Sequence, residues 1–266
     1  VSAPASTARP RSRNVCGRNR LVRGATSPTT DGESDVMTLN IDFWVDPACP
    51  FCWATARWVV DEVQPHRDVD ITWQPISLFF KNEPDPDSSY YEPVWFTHRL
   101  LRVMESVRST DGNNAVFELY WELGARIHHD KDLDFTAEDA LSAVGIDTSH
   151  AAAFDDDAWD DVIRTKMDAG LELVGSDVGT PIIAMDASDG RRAGYFGPVI
   201  SRIPSTEQSL KMWDALVAMM DVDSLFELKR TRTEGPQPGD RPLPPLILPT
   251  AAGRGFSPRR RSGVAV

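Results

Sequence analysis

Apolar and polar positions alternate between residues 39 and 45. Leu39, Ile41, Phe43 and Val45 interleave with Asn40, Asp42 and Trp44, the two-residue period of a strand. Asp46-Pro47 ends that run, because proline cannot continue a hydrogen-bonded ladder. From Cys49 onward the period changes: Cys52, Ala56, Val59 and Val63 share one helical face. "VDITWQPISL", residues 69–78, reads as a second strand, and "NEPDPDSSY", residues 82–90, as a turn-rich break. Helical spacing then dominates to residue 174, in "WFTHRLLRVMESV", "AVFELYWELGARIHH", "TAEDALSAVG" and "AWDDVIRTKMDAGLELV". Strand character returns in "TPIIAMDA", residues 180–187, and in "RRAGYFG", residues 191–197. Between them "SDGR" predicts a hairpin turn, since Asp-Gly suits the backbone angles required. The last periodic stretch, "STEQSLKMWDALVAMM", has Ser205 and Gln208 spaced as a capping box. Leu210, Trp213, Val217 and Met220 supply its apolar face.

The order is strand, helix, strand, helical stretch, strand, hairpin strand, helix. That is an α/β chain with the layout of a thioredoxin-like fold carrying a helical insertion. The expected domain comprises residues 37–81 and 175–230, with the insertion at 82–174. Residues 1–36 are rich in Ser, Thr, Pro and Arg and lack the apolar core of a secretory signal. They read as a disordered extension, with Met37 as the expected start of the folded protein. Residues 231–266, rich in Pro, Gly and Arg, read as a disordered tail.

Charge changes the picture of partners. The net charge is -12, but the Arg-rich ends conceal how acidic the middle is. Residues 31–253 hold 18 basic against 40 acidic residues, which argues against nucleic acid as a partner. No run of about 18 apolar residues predicts a membrane span. Three cysteines without a signal sequence do not form a disulfide framework. A close pair in a reducing cytoplasm points to catalysis, redox sensing or metal; Cys16 reads as incidental.

"DPACPFCW" holds that pair. Cys49 lies at the expected helix start, where unpaired N–H groups and the helix dipole favour a thiolate. It is the candidate nucleophile. Cys52, one turn later on the inward stripe, is placed to resolve a mixed disulfide. Pro50 suits the first helical turn, and Phe51 is expected to cover one side of the sulfur. Trp53 is a candidate substrate contact, whereas Trp44 and Trp58 read as core. Thr180-Pro181 opens the strand expected beside the cysteine helix, and a cis bond there would offer the Thr180 backbone to an extended thiol substrate. Zinc needs four ligands, commonly two pairs. Here one cysteine pair stands without a second, and His128 and His129 fall on different faces, so no metal is expected. His98 and His128 read as surface or satisfied core residues, and Asp155, Asp156 and Asp157 as a solvated loop or helix start.

"DFWVDPACPFCWATARWVVDEV" resembles the active-site segment of DsbA-like oxidoreductases of the actinobacterial mycothiol-dependent nitroreductase type. "VGTPIIAM" resembles its cis-proline segment; "GYFGPVISRIP", "KMWDALVAMM" and "FELKR" resemble its C-terminal stretch. The likeness runs from about Asn40 to Arg230. It implies a DsbA-like fold whose helical insertion is a lid, a cytoplasmic setting, and mycothiol as reducing co-substrate. Cys49 and Cys52 stand at the family's cysteine positions and Pro181 at its cis-proline. The substrate it implies is a low-molecular-weight disulfide or nitro compound, bound around Pro50, Phe51, Trp53, Thr180 and Pro181. One position departs: Phe51 stands where the group usually has Trp, so an indole N–H donor is absent. That bears on nitro substrates more than on thiol exchange. The competing readings are a thiol-dependent isomerase or transferase on the same fold, and a non-enzymatic redox-responsive binding module.

Overall fold

The structure is a computed structural model that describes residues 38–243. The extension expected over residues 1–36, with Cys16, the proposed start at Met37, and the tail beyond residue 243 lie outside the described residues. Strand β1 (Leu39–Val45) pairs in parallel with β2 (Val69–Pro75) and antiparallel with β3 (Ile182–Asp186). β3 pairs antiparallel with β4 (Arg192–Phe196), giving the order β2-β1-β3-β4. The alternation in β1 sends Ile41, Phe43 and Val45 into one buried cluster and Trp44 into another on the opposite face. A helix follows β1, a helical stretch separates β2 from β3, and a last helix follows β4. This is the thioredoxin-like fold with a helical insertion.

Helix α1 (Pro50–Arg57) is buried on more than the expected stripe. Trp53, Ala54 and Thr55 are as enclosed as Cys52 and Ala56: α3 (Tyr91–Ala125) packs on Trp53, and the Thr55 hydroxyl donates to the Pro198 carbonyl at 2.7 Å. The chain runs on from α1 as a π-helical turn, Trp58–Val63. β2 stops at Pro75, short of the expected residue 78, and a short helix α2 (Leu78–Asn82) begins in its place. The Ser77 hydroxyl caps it by accepting from the Phe80 N–H at 3.1 Å. Two helical stretches are expected between residues 95 and 129. α3 covers the first and most of the second, broken at Gly112, whose φ of 81° lies outside the helix region, and Arg126–Asp130 continue it as a π-helical turn. Asn113 beside the break turns its side-chain amide onto the edge of β2. Its Oδ1 accepts from Trp73 N–H at 2.9 Å, and its Nδ2 donates to the Ile71 carbonyl at 2.7 Å.

Helix α4 (Ala137–Val144) carries a closed capping box between Thr136 and Asp139. Helix α5 (Asp160–Val174) covers the Trp44 face of the sheet, with Trp44 Nε1 donating to the Lys166 carbonyl at 2.7 Å. The box expected at α6 (Thr206–Met220) does not form. The Ser205 hydroxyl caps no backbone N–H and points at Gln208 Oε1, 3.4 Å away. The buried face of α6 holds Ser209, Trp213, Leu216 and Met220, while Leu210 and Val217 are only half-buried. Past α6 the chain is irregular but tied down at several points. Gln237 N–H donates to the Ser201 carbonyl at 2.6 Å, Arg57 reaches the Asp240 carbonyl at 3.0 Å, and Arg241 pairs with Asp130 at 2.8 Å. The stretch expected to be loose from residue 231 is thus held against the body as far as Arg241, because its polar groups find partners there.

Two buried histidines make the fold sensitive to acid. His98 is fully enclosed between Ser77 and Asp160, and burial pulls it down to about 4. His128, bonded through Nε2 to the Pro47 carbonyl at 2.8 Å, is likewise pulled by burial to about 4. An unfolded histidine titrates near 6.5, so between roughly pH 6.5 and 4 the unfolded chain takes up protons that the fold refuses. Asp46 opposes this, because burial raises it to about 6 and its protonation favours the fold over the same window. Two groups outweigh one. The melting temperature should fall as pH drops from 7 to 4.5, and His128→Gln, which keeps a donor for Pro47, should flatten the slope. A melting temperature level across that range would contradict neutral burial. A separate expectation comes from Gly124, where a Cβ would stand 2.2 Å from the Trp53 ring. Gly124→Ala should cost about 1–3 kcal/mol by overpacking, read as a lower urea midpoint with unchanged slope. A midpoint equal to wild type would show that Trp53 has room to move.

Candidate active site

The pairing of β1 with β3 sets the geometry. Trp44 lies opposite Ile182, so Thr180 and Pro181, just before β3, come down beside the start of α1. The Thr180–Pro181 peptide is cis. Cys49 is the cap of α1, extended at φ -85° and ψ 109°, and its Sγ accepts from the Cys52 N–H at 3.4 Å. The same thiol donates to the Thr180 carbonyl at 3.6 Å. Cys49 keeps partial access to solvent, whereas Cys52 is wholly buried, and both are free thiols.

Donors surround the Cys52 sulfur. The Thr180 hydroxyl lies 3.2 Å away and the Tyr120 hydroxyl 3.8 Å away. The Asp46 backbone N–H adds a third donor. The Thr180 hydroxyl also faces the Trp44 carbonyl at 2.9 Å, so its single proton is shared between two acceptors. Asp46 is itself fully buried. Its carboxylate accepts from Ala48 N–H at 2.8 Å and from Leu78 N–H at 2.7 Å, which pins the turn between β1 and α1 onto α2.

Electrostatics here run against the expectation of a ready thiolate. Burial pushes the Cys49 thiol up to about 11, and the nearby Asp46 carboxylate adds to the rise. The N–H groups of Cys52 and Phe51 and the Arg232 guanidinium pull the other way without prevailing. The helix terminus does donate to the sulfur, from the Cys52 N–H at 3.4 Å, but the loss of water around the sulfur outweighs it. Cys52 is pushed up further by burial and by the neighbouring Cys49.

Of the expected contacts, Cys49, Cys52, Pro50, Phe51, Thr180 and Pro181 come together at one end of the sheet. Trp53 does not face the opening. It is fully enclosed, its Nε1 donates to His129 Nε2 at 3.0 Å, and its ring packs on Trp121 and His128. It braces α1 from behind, because α3 and the turn after it close over it. His98 and His128 are satisfied core residues. Among the described residues, no group of three or more His, Cys, Asp or Glu is placed to hold a metal ion. No helix among the described residues is long and apolar enough to cross a membrane. Four residues went unseen in the sequence. Tyr120 and Asp46 contact the buried sulfur. Tyr90, hydrogen-bonded to Asn82 at 3.1 Å, has its phenol raised by burial and by the nearby Asp46 and Cys49. Arg232 lies over the Phe51 ring at 4.7 Å. Only Asp46 had a local signal, as the acid opening the cysteine turn.

Residues 48–230 match the Rv2466c-like family, described as mycothiol-dependent nitroreductase Rv2466c. The uncharacterized protein Rv2286c of Mycobacterium tuberculosis is 26% identical over 202 residues, covering 73% of this chain and 83% of its own. Among solved structures, a putative protein disulfide isomerase from Nitrosomonas europaea is similar at 14% identity and a TM-score of 0.46, over 68% of this chain and 99% of its own. The cytosolic disulfide reductase DsbM from Pseudomonas aeruginosa is similar at 11% identity and a TM-score of 0.45, over 68% of this chain and 100% of its own.

The raised Cys49 thiol is directly measurable. Alkylation of the reduced protein by iodoacetamide should climb through pH 8 to 10 without a plateau at neutral pH. Asp46→Asn, which removes the neighbouring negative charge, should speed alkylation at pH 8 by about threefold. A rate already level at pH 7 would mean that the helix terminus, and not burial, governs this sulfur.

Proposed function

This chain belongs to the Rv2466c-like family of mycothiol-dependent nitroreductases, and on that premise we propose that it is a cytoplasmic thiol–disulfide oxidoreductase working through Cys49 and Cys52. The observation that carries the reading is the division between the two sulfurs. Cys49 is the one with solvent access at a helix start, and Cys52 sits behind it within a ring of donors.

In this reading Cys49 loses its proton to solvent, and its thiolate is held by the Cys52 and Phe51 N–H groups. It attacks one sulfur of a disulfide, forming a new S–S bond as the old one breaks and the departing thiolate takes the electron pair. Cys52 then attacks the Cys49 sulfur, releasing the second thiolate and leaving the enzyme oxidised. Before that attack, the donors from Thr180, Tyr120 and Asp46 offset part of the cost of a charged, buried Cys52. Mycothiol serves as the reducing co-substrate that returns the pair to the dithiol. Reduction of a nitro group draws on the same dithiol, which yields two electrons and two protons as it closes, enough to carry a nitro group to nitroso and water. Pro50, Phe51, Thr180 and Pro181 line the approach to Cys49. The donors around Cys52 favour exchange over an isomerase or transferase, which would leave the second cysteine without a task.

Single-turnover oxidation of the dithiol by a small disulfide checks this. Cys49→Ser should lose reactivity by at least about a thousandfold. Cys52→Ser should react once and stop as a mixed disulfide on Cys49, visible as a mass increase. Full turnover by Cys52→Ser would remove the resolving role, and wild-type rates in Cys49→Ser would remove the nucleophile.

A further inference from the structure

The segment after α6 brings a cation to the mouth of the site. Arg232 sits over the face of the Phe51 ring, 4.7 Å from guanidinium carbon to ring centroid. Phe51 is the residue between Pro50 and Cys52, and its own N–H donates toward the Cys49 sulfur. The cation is therefore held against the motif itself. The segment is fixed near this point, since Arg202 pairs with Glu234 at 2.5 Å and the Ser201 hydroxyl donates to the Glu234 carbonyl at 3.2 Å.

Among the described residues, the Arg232 guanidinium has no carboxylate partner. Most arginines of this acid-rich body, among them Arg57, Arg67, Arg99, Arg102, Arg108 and Arg126, do have one. Arg164 shares the lack but lies over a different ring, that of Phe80. Among the described residues no hydrogen bond takes up the five N–H donors of Arg232, and a contact with an aromatic ring leaves them available to an anion. Lys229 and Arg230 precede it and are exposed, and Arg232 is the one cation whose charge acts on the Cys49 sulfur among the causes of its shift. An anionic group approaching Cys49 past Phe51 meets the attraction of that guanidinium.

We infer that Arg232 is a substrate-recognition residue, selecting disulfides that carry a carboxylate or similar anion beside the sulfur attacked by Cys49. This rests on the proposed exchange chemistry and narrows its substrate class. The anion pairs with the outward edge of the guanidinium, a bidentate geometry that lysine cannot reproduce. The covalent step is the exchange already written: Cys49 sulfur bonds to substrate sulfur, and the leaving thiolate departs with the electron pair.

A matched pair of probes tests it: dithiodipyridine, which is neutral, and dithiodinicotinate, the same scaffold with a carboxylate on each ring. Both release a chromophoric thione. With reduced full-length protein at low ionic strength, Arg232→Gln should slow dithiodinicotinate by about tenfold and dithiodipyridine by less than about twofold. Arg232→Lys should recover only part of the loss, and added salt should shrink the difference. Equal loss on both probes would place the effect on the Cys49 thiolate and overturn substrate recognition. No loss on either would overturn it as well. A wild-type protein inert to both probes, or one reacting equally after Cys49→Ser, would instead sink the exchange chemistry on which the inference stands.

Discussion

One hydroxyl joins three segments that are far apart in sequence. Thr180 Oγ1 faces both the carbonyl of Trp44, at the end of β1, and the sulfur of Cys52, inside α1. It stands there because β3 runs antiparallel to β1 with Ile182 opposite Trp44. A slip of one residue in that pairing would turn Thr180 to the other face of the sheet. The two buried clusters on opposite faces resist such a slip, since it would drive Ile183 and Met185 out of one core and Ile182 and Ala184 out of the other. Core packing on both faces of the sheet therefore sets where Thr180 meets the sulfur.

The site also shows two electrostatic effects in competition. A helix terminus favours an anion through a few oriented N–H groups, while enclosure penalises any charge. Enclosure wins at both sulfurs here: α3, from the insertion, supplies Tyr120, and α2 is drawn in by the bond from Leu78 to Asp46. The covering that shelters the chemistry also opposes ionisation. Asp46 embodies the conflict, since its carboxylate orders the cysteine turn and its charge disfavours the thiolate.

How much of this could be read from the chain depends on range. The alternation of residues 39–45, the period change at Cys49 and the Asp-Gly turn before β4 are local patterns, and the structure follows them closely. Pro181 was found because its place at a strand start is local as well. Tyr120 was not, since nothing separates it from the other apolar residues of a long helix until that helix is laid across α1. Arg232 lies in a Pro- and Gly-rich stretch that composition marks as loose, and contacts distant in sequence, with Phe51 and through Glu234, give it a place. Trp53 went wrong for a similar reason. Adjacency to Cys52 suggested the opening, yet the helical turn points it inward, where Gly124 makes room for its ring. The direction of the Cys49 shift was missed because desolvation is a sum over distant neighbours, whereas the helix dipole is a property of a single segment.

The amide of Asn113 reaches further than its two hydrogen bonds suggest. β2 is an outer strand of the sheet, and a free edge of that kind is a template for another strand. Asn113 presents one donor and one acceptor to that edge, taking the Trp73 N–H and the Ile71 carbonyl that a neighbouring strand would have used. Arg108 takes the Trp73 carbonyl, and Gln64 the Val69 carbonyl at 3.0 Å. Growth of the sheet by strand addition is blocked on that side. The break at Gly112, beside which Asn113 turns inward, thus makes a kink in the insertion the seal of the sheet's β2 edge.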